Sequence, residues 1–408
     1  MKSTCRITLL SIITFIFTTI ATNLSPVITA CEEIPQSLPS TSKTEQNPAD
    51  NTKEPGDFTV VMVGDILLHD GIEKCALRED GSYDYTEVFR HTKDEIEAAD
   101  LAIVNEEVII GGEELRVSGY PSFNAPYEIA DELAETGFDV ICHATNHALD
   151  RGKKGIINCL SYWKDNYPQI MPVGIYDSAQ ESEELCIYEK DGYKIAVLNY
   201  TYGTNGIHLP KDMPYAVNLI KEDKVISDLA KAEKEADFTI VCPHWGTEYN
   251  LGITDYQKKW AKIFADGGAD VIIGTHPHVI EPLEIVTADD GRKVPVYYSL
   301  GNFVNWTSGQ GRGVANRMVG AMAVITLNMD EAGDVYVKDY GVKPLVCHVE
   351  SATDGATVYF LDDYTQAKSF LNEIRRRDDN FSYIYCANVK QNLTSLGKHF
   401  LLCTVIRI

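Results

Sequence analysis

Between residues 58 and 278 the chain repeats one event five times: a short, mostly apolar run rich in β-branched residues stops abruptly on polar side chains. Phe58 to Val63 (FTVVMV) stops at Gly64-Asp65, and Leu101 to Val104 stops at Asn105-Glu106-Glu107. Phe138 to Cys142 leads to Thr145-Asn146-His147, Phe238 to Cys242 leads to Pro243-His244, and Val271 to Ile273 leads to Gly274-Thr275-His276-Pro277-His278. Runs of this kind are the signature of strands buried on both faces, which need cover on both sides. If the five are strands of one sheet, their C-terminal ends fall along one edge, where α/β folds place their ligands.

Helical stretches separate the runs. Pro126 to Glu135 carries apolar residues at helical spacing before Gly137. Thr254 and Gln257 form a capping-box pattern that opens a helix through Trp260, Ile263 and Phe264, with Gly267 closing it. Strands alternating with helices predict an α/β layer architecture. The second half is richer in hairpins: Glu184 to Tyr200 turns at Asp191-Gly192, Ile285 to Leu300 around Asp290-Gly291, and Val319 to Val342 near Ala332-Gly333. A second, partly antiparallel sheet packed on the first accounts for them most simply. After His348 the pattern weakens, and residues 349–408 read as a C-terminal extension of mixed character.

Residues 1–30 read as an export signal, with Lys2 and Arg6 ahead of an apolar run from Leu9 to Ile20 that is too short for a comfortable membrane span. The segment ends on Ile28-Thr29-Ala30-Cys31, which resembles a bacterial lipoprotein box with Cys31 as the lipidated residue; plain cleavage after Ala30 is the alternative. Residues 31–57, rich in Ser, Thr, Pro, Glu and Asn, predict a disordered tether that buries too little surface to fold. The expected location is the outer face of the cytoplasmic membrane, exported and lipid-anchored. A net charge of −24 leaves no cationic excess to displace counterions from nucleic acid, so no nucleic-acid partner is expected. The same charge means that a polyanionic substrate must be gripped locally, by metal ions or a few Lys and Arg. No CxxC pair occurs, and Cys142, Cys186 and Cys242 lie in or beside strand-like runs, so buried free thiols are expected and not a disulfide frame.

Asp, Asn, Glu and His gathered at the ends of buried strands carry a desolvation cost that a divalent cation offsets. Mixed imidazole and carboxylate ligands suit Mn²⁺, Fe or Zn²⁺ better than Ca²⁺.

In order and type these residues resemble the calcineurin-like metallophosphoesterases over about residues 58–304. Asp65 takes the place of the first-motif Asp, and Asn105-Glu106-Glu107 the second-motif position. Asn146-His147 resembles the Gly-Asn-His motif, His244 the lone ligand His, and His276-Pro277-His278 the paired ligands. Two departures stand out. The residue two after Asp65 is Leu67 where that superfamily has His, with His69 four positions on; and the bridging Asp is absent, leaving Asn105 or Glu107 to stand in. Gly64-Asp65, Asn105-x-Glu107, Ala144-Thr145-Asn146-His147-Ala148-x-Asp150-x-Gly152, His244-Trp245-Gly246-x-Glu248-Tyr249, His276-Pro277-His278-Val279 and Tyr298-Ser299-Leu300-Gly301-Asn302-Phe303 resemble the signatures of the CapA-like poly-gamma-glutamate capsule synthesis family.

That resemblance implies a four-layer α-β-β-α sandwich of two mixed sheets over residues 58–348. It implies one or two divalent transition-metal ions held by Asp65, Asn105 or Glu107, Asn146, His244, His276 and His278, with His147 as general acid or oxyanion contact. Asp150 has two roles open to it, orienting His147 or capping a helix ahead of Gly152. Glu248 is a partner of His244, a site carboxylate or an ordinary surface residue. Trp245, Tyr249 and Phe303 are expected to wall the pocket, and Asn302 precedes a Gly-rich loop (Gly309, Gly311, Gly313) that either approaches substrate or is a plain connection. Two functions follow from the resemblance: a metal-dependent hydrolase acting on an anionic polymer or phosphoester, or a non-catalytic accessory that holds the polymer beside a membrane-bound synthase. A surface protein with a vestigial site is a third reading.

Overall fold

The computed structural model describes residues 56–351 and 355–391; the export signal, most of the tether, and Cys31 lie outside the described residues. Four parallel strands begin the fold: β1 (Phe58–Leu67), β2 (Leu101–Glu106), β3 (Val140–Cys142) and β4 (Met171–Val173). The chain then crosses to a second sheet made of β5 (Ile187–Lys190), β6 (Tyr193–Thr201), β7 (Phe238–His244), β8 (Val271–Ile273), β9 (Leu283–Thr287) and β10 (Lys293–Tyr297), in the order β5-β6-β7-β8-β10-β9. It returns to the first sheet for β11 (Asn302–Asn305), β12 (Val319–Met329), β13 (Val335–Ser351) and β14 (Gly355–Phe360). The first sheet therefore runs β14-β13-β12-β1-β2-β3-β4, with β11 beside the end of β1. Both sheets are mixed: β12, β13 and β14 are antiparallel to their neighbours in the first, and β5 and β9 are antiparallel edges of the second.

The helices are α1 (Asp70–Ala76), α2 (Thr86–Phe89), α3 (Lys93–Glu97), α4 (Glu128–Thr136), α5 (Gly152–Asn166), α6 (Glu222–Glu235), α7 (Asp255–Asp266), α8 (Gln366–Leu371) and α9 (Tyr383–Val389). The expected turn chemistry is present. Thr254 and Gln257 form a reciprocal capping box on α7, and Gly137 closes α4 at φ 95°. The β5–β6 turn places both Asp191 (φ 52°) and Gly192 (φ 88°) in the left-handed region, as a two-residue hairpin with the native twist requires.

Side-chain alternation along the second sheet fixes the layers. Ile195 and Val197, Ile240 and Cys242, and Val271 and Ile273 join the core shared with the first sheet. Their neighbours Ala196, Leu198, Tyr200, Val241 and Ile272 turn the other way and pack on Val225 and Leu229 of α6 and Trp260 and Phe264 of α7. A strand buried on both faces has no polar side to spare, which is why these segments read as unbroken apolar runs. The architecture is the α-β-β-α sandwich.

The domain limit expected at residue 348 falls inside β13. His348 pairs with Thr357 of β14, and Tyr364, Ile374, Phe381 and Cys386 join the main core. Segments 355–391 thus complete the first sheet; their apolar residues are too widely spaced to announce it. Cys142, Cys159, Cys186, Cys242, Cys347 and Cys386 are free thiols, all but the half-buried Cys186 buried.

One buried carboxyl lies away from the strand ends. Glu73 of α1 accepts the Tyr85 hydroxyl at 2.6 Å through Oε2, while its Oε1 is buried without a partner. Burial, only partly opposed by that hydrogen bond, pushes the Glu73 carboxyl up to about 8 from an ordinary 4.5. The folded state therefore holds this proton more tightly than the unfolded chain; its contribution is full below about 4.5 and is lost as pH rises to about 8. We expect Glu73→Gln, which keeps an acceptor for Tyr85, to be more stable than wild type at pH 8.5 by on the order of a few kcal/mol, with the gap closing by pH 4.5. Urea midpoints of both proteins across this range measure it, and parallel curves would refute the assignment.

Candidate metal centre

Asp65 is delivered by a break in register. β1 pairs with β12 up to Val63, shifts, and then pairs in parallel with β11, Asp65 opposite Asn302. Gly64 makes the crossing possible, because a Cβ there would lie 1.9 Å from the Gly301 carbonyl oxygen that accepts from Asp65 N at 3.0 Å. Along β2 and the residue after it, the period of two sends Asn105 and Glu107 to the site and Glu106 to the opposite face, where its Oε1 accepts from Val108 N.

The other ligands come from the second sheet. His244 is the last residue of β7, and the turn after β8 carries His276 at φ 98° and His278 at φ 58°. Left-handed backbone at non-glycine residues costs on the order of 1–3 kcal/mol each and persists only where neighbours enforce it. Here His276 N donates to Asp65 Oδ2 at 3.2 Å, Tyr249 N to Pro277 O at 2.7 Å, and Asn302 Nδ2 to His278 O at 3.2 Å. The single-sheet expectation is therefore corrected: three strand ends belong to one sheet and two to the other, and they converge because the sheets pack face to face with their parallel strands ending on the same side.

Two ligand groups result, Asp65 with Glu107 and His244, and Glu107 with His276 and His278; within each, one ligand atom per residue lies within 4.8 Å of the others. Glu107 is the residue common to both. Asn105 donates Nδ2 to Asp65 Oδ1 at 2.9 Å. Asn146 Oδ1 sits 2.8 Å from His244 Nε2, and Thr275 Oγ1 lies 3.0 Å from the other ring nitrogen. His278 Nδ1 faces Asp65 Oδ2 at 3.1 Å and Asn302 Oδ1 at 3.0 Å, which leaves Nε2 as its ligand atom.

A cation fits this donor set. Both oxygens of Glu107, Oδ1 of Asn105 and Nδ1 of His276 are buried with no hydrogen-bond partner. Each orphan of this kind costs roughly 1–3 kcal/mol unless something satisfies it. Burial drives the Glu107 carboxyl well above its ordinary range. Burial and the neighbouring imidazoles hold His244 and His276 well below theirs, in the neutral form that ligates a metal. Burial also lowers His278, but the Glu107 and Asp65 carboxylates outweigh it and hold the ring at about 9.

Beside the centre opens a cavity of about 600 Å³, lined by His147, Asp150, Asn205, Glu248, Tyr249, His278, Asn302 and others. His147 belongs to neither ligand group. Its Nδ1 is 2.7 Å from Asp150 Oδ2, which also accepts from Phe123 N at 2.7 Å. The helix after it begins at Gly152 with no side-chain cap, so of the two roles open to Asp150 the structure shows the orienting one.

A family model described as bacterial capsule synthesis protein PGA_cap matches residues 59–307, more than half of the chain. The chain belongs to the PGA_cap family. It is 33% identical over 179 residues to the PGA biosynthesis protein CapA of Bacillus subtilis (strain 168), covering 43% of this chain and 45% of that protein. It is 28% identical over 267 residues to the capsule biosynthesis protein CapA of Bacillus anthracis, covering 62% of each. The matches thus span about half to three fifths of those relatives. Among solved structures, NAD nucleotidase (NadN) of Haemophilus influenzae is similar at 12% identity with a TM-score of 0.45, covering 71% of this chain and 58% of that one.

Two PGA_cap motif residues stand elsewhere than expected. Trp245 is wholly buried, its indole N–H donating to Tyr298 O at 2.9 Å and its ring packed on Phe264 and Tyr298. Phe303 points into the core against Phe89. Both follow a site residue on a strand or its extension, and alternation turns them away from the cavity. Glu248 is exposed on the cavity wall, while His244 takes its contacts from Asn146 and Thr275. Tyr249 and Asn302 do line the cavity. His69 also lines it, outside both ligand groups, and burial lowers its ring to about 4. Asn205, which accepts from Asn146 Nδ2 at 3.3 Å, and Arg317 carry no motif and were invisible to the sequence reading.

Glu107→Gln and His276→Ala should each lose bound metal, whereas His147→Ala should keep it. Metal binding at a hundredfold excess over Kd stabilises by about 2.7 kcal/mol, so chelation should lower the melting temperature of wild type and His147→Ala but not of the two ligand variants. Elemental analysis and melting curves with and without chelator decide this; full metal in either ligand variant overturns the ligand set.

Proposed function

We propose that this PGA_cap protein is a metal-dependent hydrolase of the phosphoesterase type that serves capsule polymer synthesis or export. The reading rests on one observation: a buried carboxylate common to two ligand groups, with its oxygens unpartnered, stands beside a His–Asp pair that opens on a cavity. Asp65, Glu107, Asn146, His244, His276 and His278 would hold one or two ions of Mn²⁺, Fe or Zn²⁺. Bound there, a divalent cation supplies Lewis acidity and activates water at neutral pH. With the proton on Nδ1 held by Asp150, His147 presents Nε2 as the atom that gives or takes a proton at the reacting group. Phe123, whose ring meets the imidazole edge-on at 4.7 Å, packs against that orientation.

Loaded with each metal in turn, the full chain should hydrolyse a chromogenic phosphodiester or a γ-glutamyl ester. His147→Ala should lower turnover by roughly 10²–10⁴-fold, the span of general acid–base catalysis. Asp150→Asn should lower it by less. Absence of turnover with every metal, or equal activity in His147→Ala, would sink the hydrolase reading. Leu67, which lines the cavity where a further ligand His is expected, favours the second reading, an accessory that binds anionic polymer beside a membrane synthase.

The same proposal puts the protein on the outer membrane face through a lipid on Cys31, supported by the box at residues 28–31 and the polar segment after it. Cys31→Ser should move the protein from the membrane fraction to the medium, as read by fractionation and immunoblot; unchanged retention would reject the anchor.

A further inference from the structure

Among the described residues, Arg317 is the one Lys or Arg that lines the cavity, in a chain with a net charge of −24. Its guanidinium lies 3.4 Å from the centre of the Tyr249 ring, stacked over it. Nη1 donates to Thr307 Oγ1 at 3.0 Å, and no carboxylate of the described residues is within ion-pair distance. An arginine has five N–H donors in a planar fork, so stacking and one hydrogen bond leave most of the fork's edge free. Its partners are an aromatic face and a hydroxyl.

The surroundings are built to hold it so. The Arg317 carbonyl accepts from Asn302 Nδ2 at 2.9 Å and Asn305 Nδ2 at 3.2 Å, and Asn302 is the residue that also contacts His278. A side chain at position 309 would press a Cβ to 2.9 Å from Nη1, so Gly309 keeps room for the guanidinium. The loop 307–313, whose first three residues line the cavity, is itself tied down by the segment after β14: Gly313 N donates to Asp378 Oδ2 at 2.7 Å, Gly311 N to Arg377 O at 3.0 Å, and Arg377 Nη1 to Ser308 O at 3.1 Å.

We propose that Arg317, on its Tyr249 platform, is a specificity-determining residue that receives a second anionic group of the substrate, a carboxylate or phosphate oxyanion, while the reacting group lies at the metal centre. This rests on the functional reading above for the word substrate, but the binding site stands on its own geometry. Planar, bidentate recognition of an oxyanion is what a stacked guanidinium with a free edge offers. It also answers how so acidic a protein holds an anionic ligand: the grip is local, inside a cavity, against the field of the whole molecule.

The test is calorimetric titration of glutarate and of inorganic phosphate into the metal-loaded full chain at low ionic strength, for wild type, Arg317→Gln, Arg317→Lys and Arg312→Gln. Metal content and melting temperature are measured on each. Arg312 is exposed outside the cavity and removes the same charge from the same loop region. Arg317→Gln should weaken the better-bound probe at least tenfold with metal content unchanged. Arg317→Lys should recover only part of the loss, and Arg312→Gln should match wild type within twofold. The probe that loses more affinity identifies the group as carboxylate or phosphate. Equal affinity in wild type and Arg317→Gln, equal weakening by Arg312→Gln, or failure of wild type to bind either probe would each overturn the proposal. If both probes bind through Arg317 but no ester is hydrolysed, the hydrolase reading falls and this one stands.

Discussion

The site depends on a carboxylate that the fold buries without giving it a hydrogen bond. Glu107 lies wholly inside the protein, its Oε1 3.7 Å from His244 Nε2 and 3.6 Å from His278 Nε2, with neither oxygen partnered. Water cannot reach it and no donor is aimed at it, so the ionised carboxylate carries a desolvation cost that a proton or a nearby cation relieves. Its neighbours are arranged to the same end: Asp65 is held by Asn105 and the His276 backbone, and His278 is held by Asp65 and Asn302.

That arrangement needs two sheets. The first supplies carboxylates and amides from the ends of β1, β2 and β3, and the second supplies imidazoles from the ends of β7 and β8. Neither could build the centre alone. The close approach of Gly64 to the Gly301 carbonyl is one of the points where they are drawn together around Asp65, since residue 301 links β10 to β11 across the two sheets. The left-handed turns at His276 and His278 store strain that the same contacts oppose, a pattern met where a site is held in one geometry.

The segment after β13 ties a remote part of the chain to this centre. Arg377 and Asp378 hold the loop that forms one wall of the cavity, and Arg317 at the end of that loop reaches back through Asn302 to His278. Cavity wall, Arg317 and His278 are thus linked by hydrogen bonds.

The sequence by itself determined the strands, the turns and most of the donor set. Apolar runs stopping on Asp65, Glu107, Asn146, His244 and His276 signal buried strands with polar ends because burial and period-two alternation act locally. Capping boxes and left-handed glycines are local in the same way. What only the tertiary structure decided is which of those residues face one another. Glu107 meets His244 and His278 because the two sheets pack face to face. Trp245 and Phe303 turned into the core because each is one residue past a site position, and a single step along an extended chain reverses the side chain. Arg317 had no local signal at all: its role comes from the Tyr249 ring and the Thr307 hydroxyl, contacts created when distant turns are packed against one cavity.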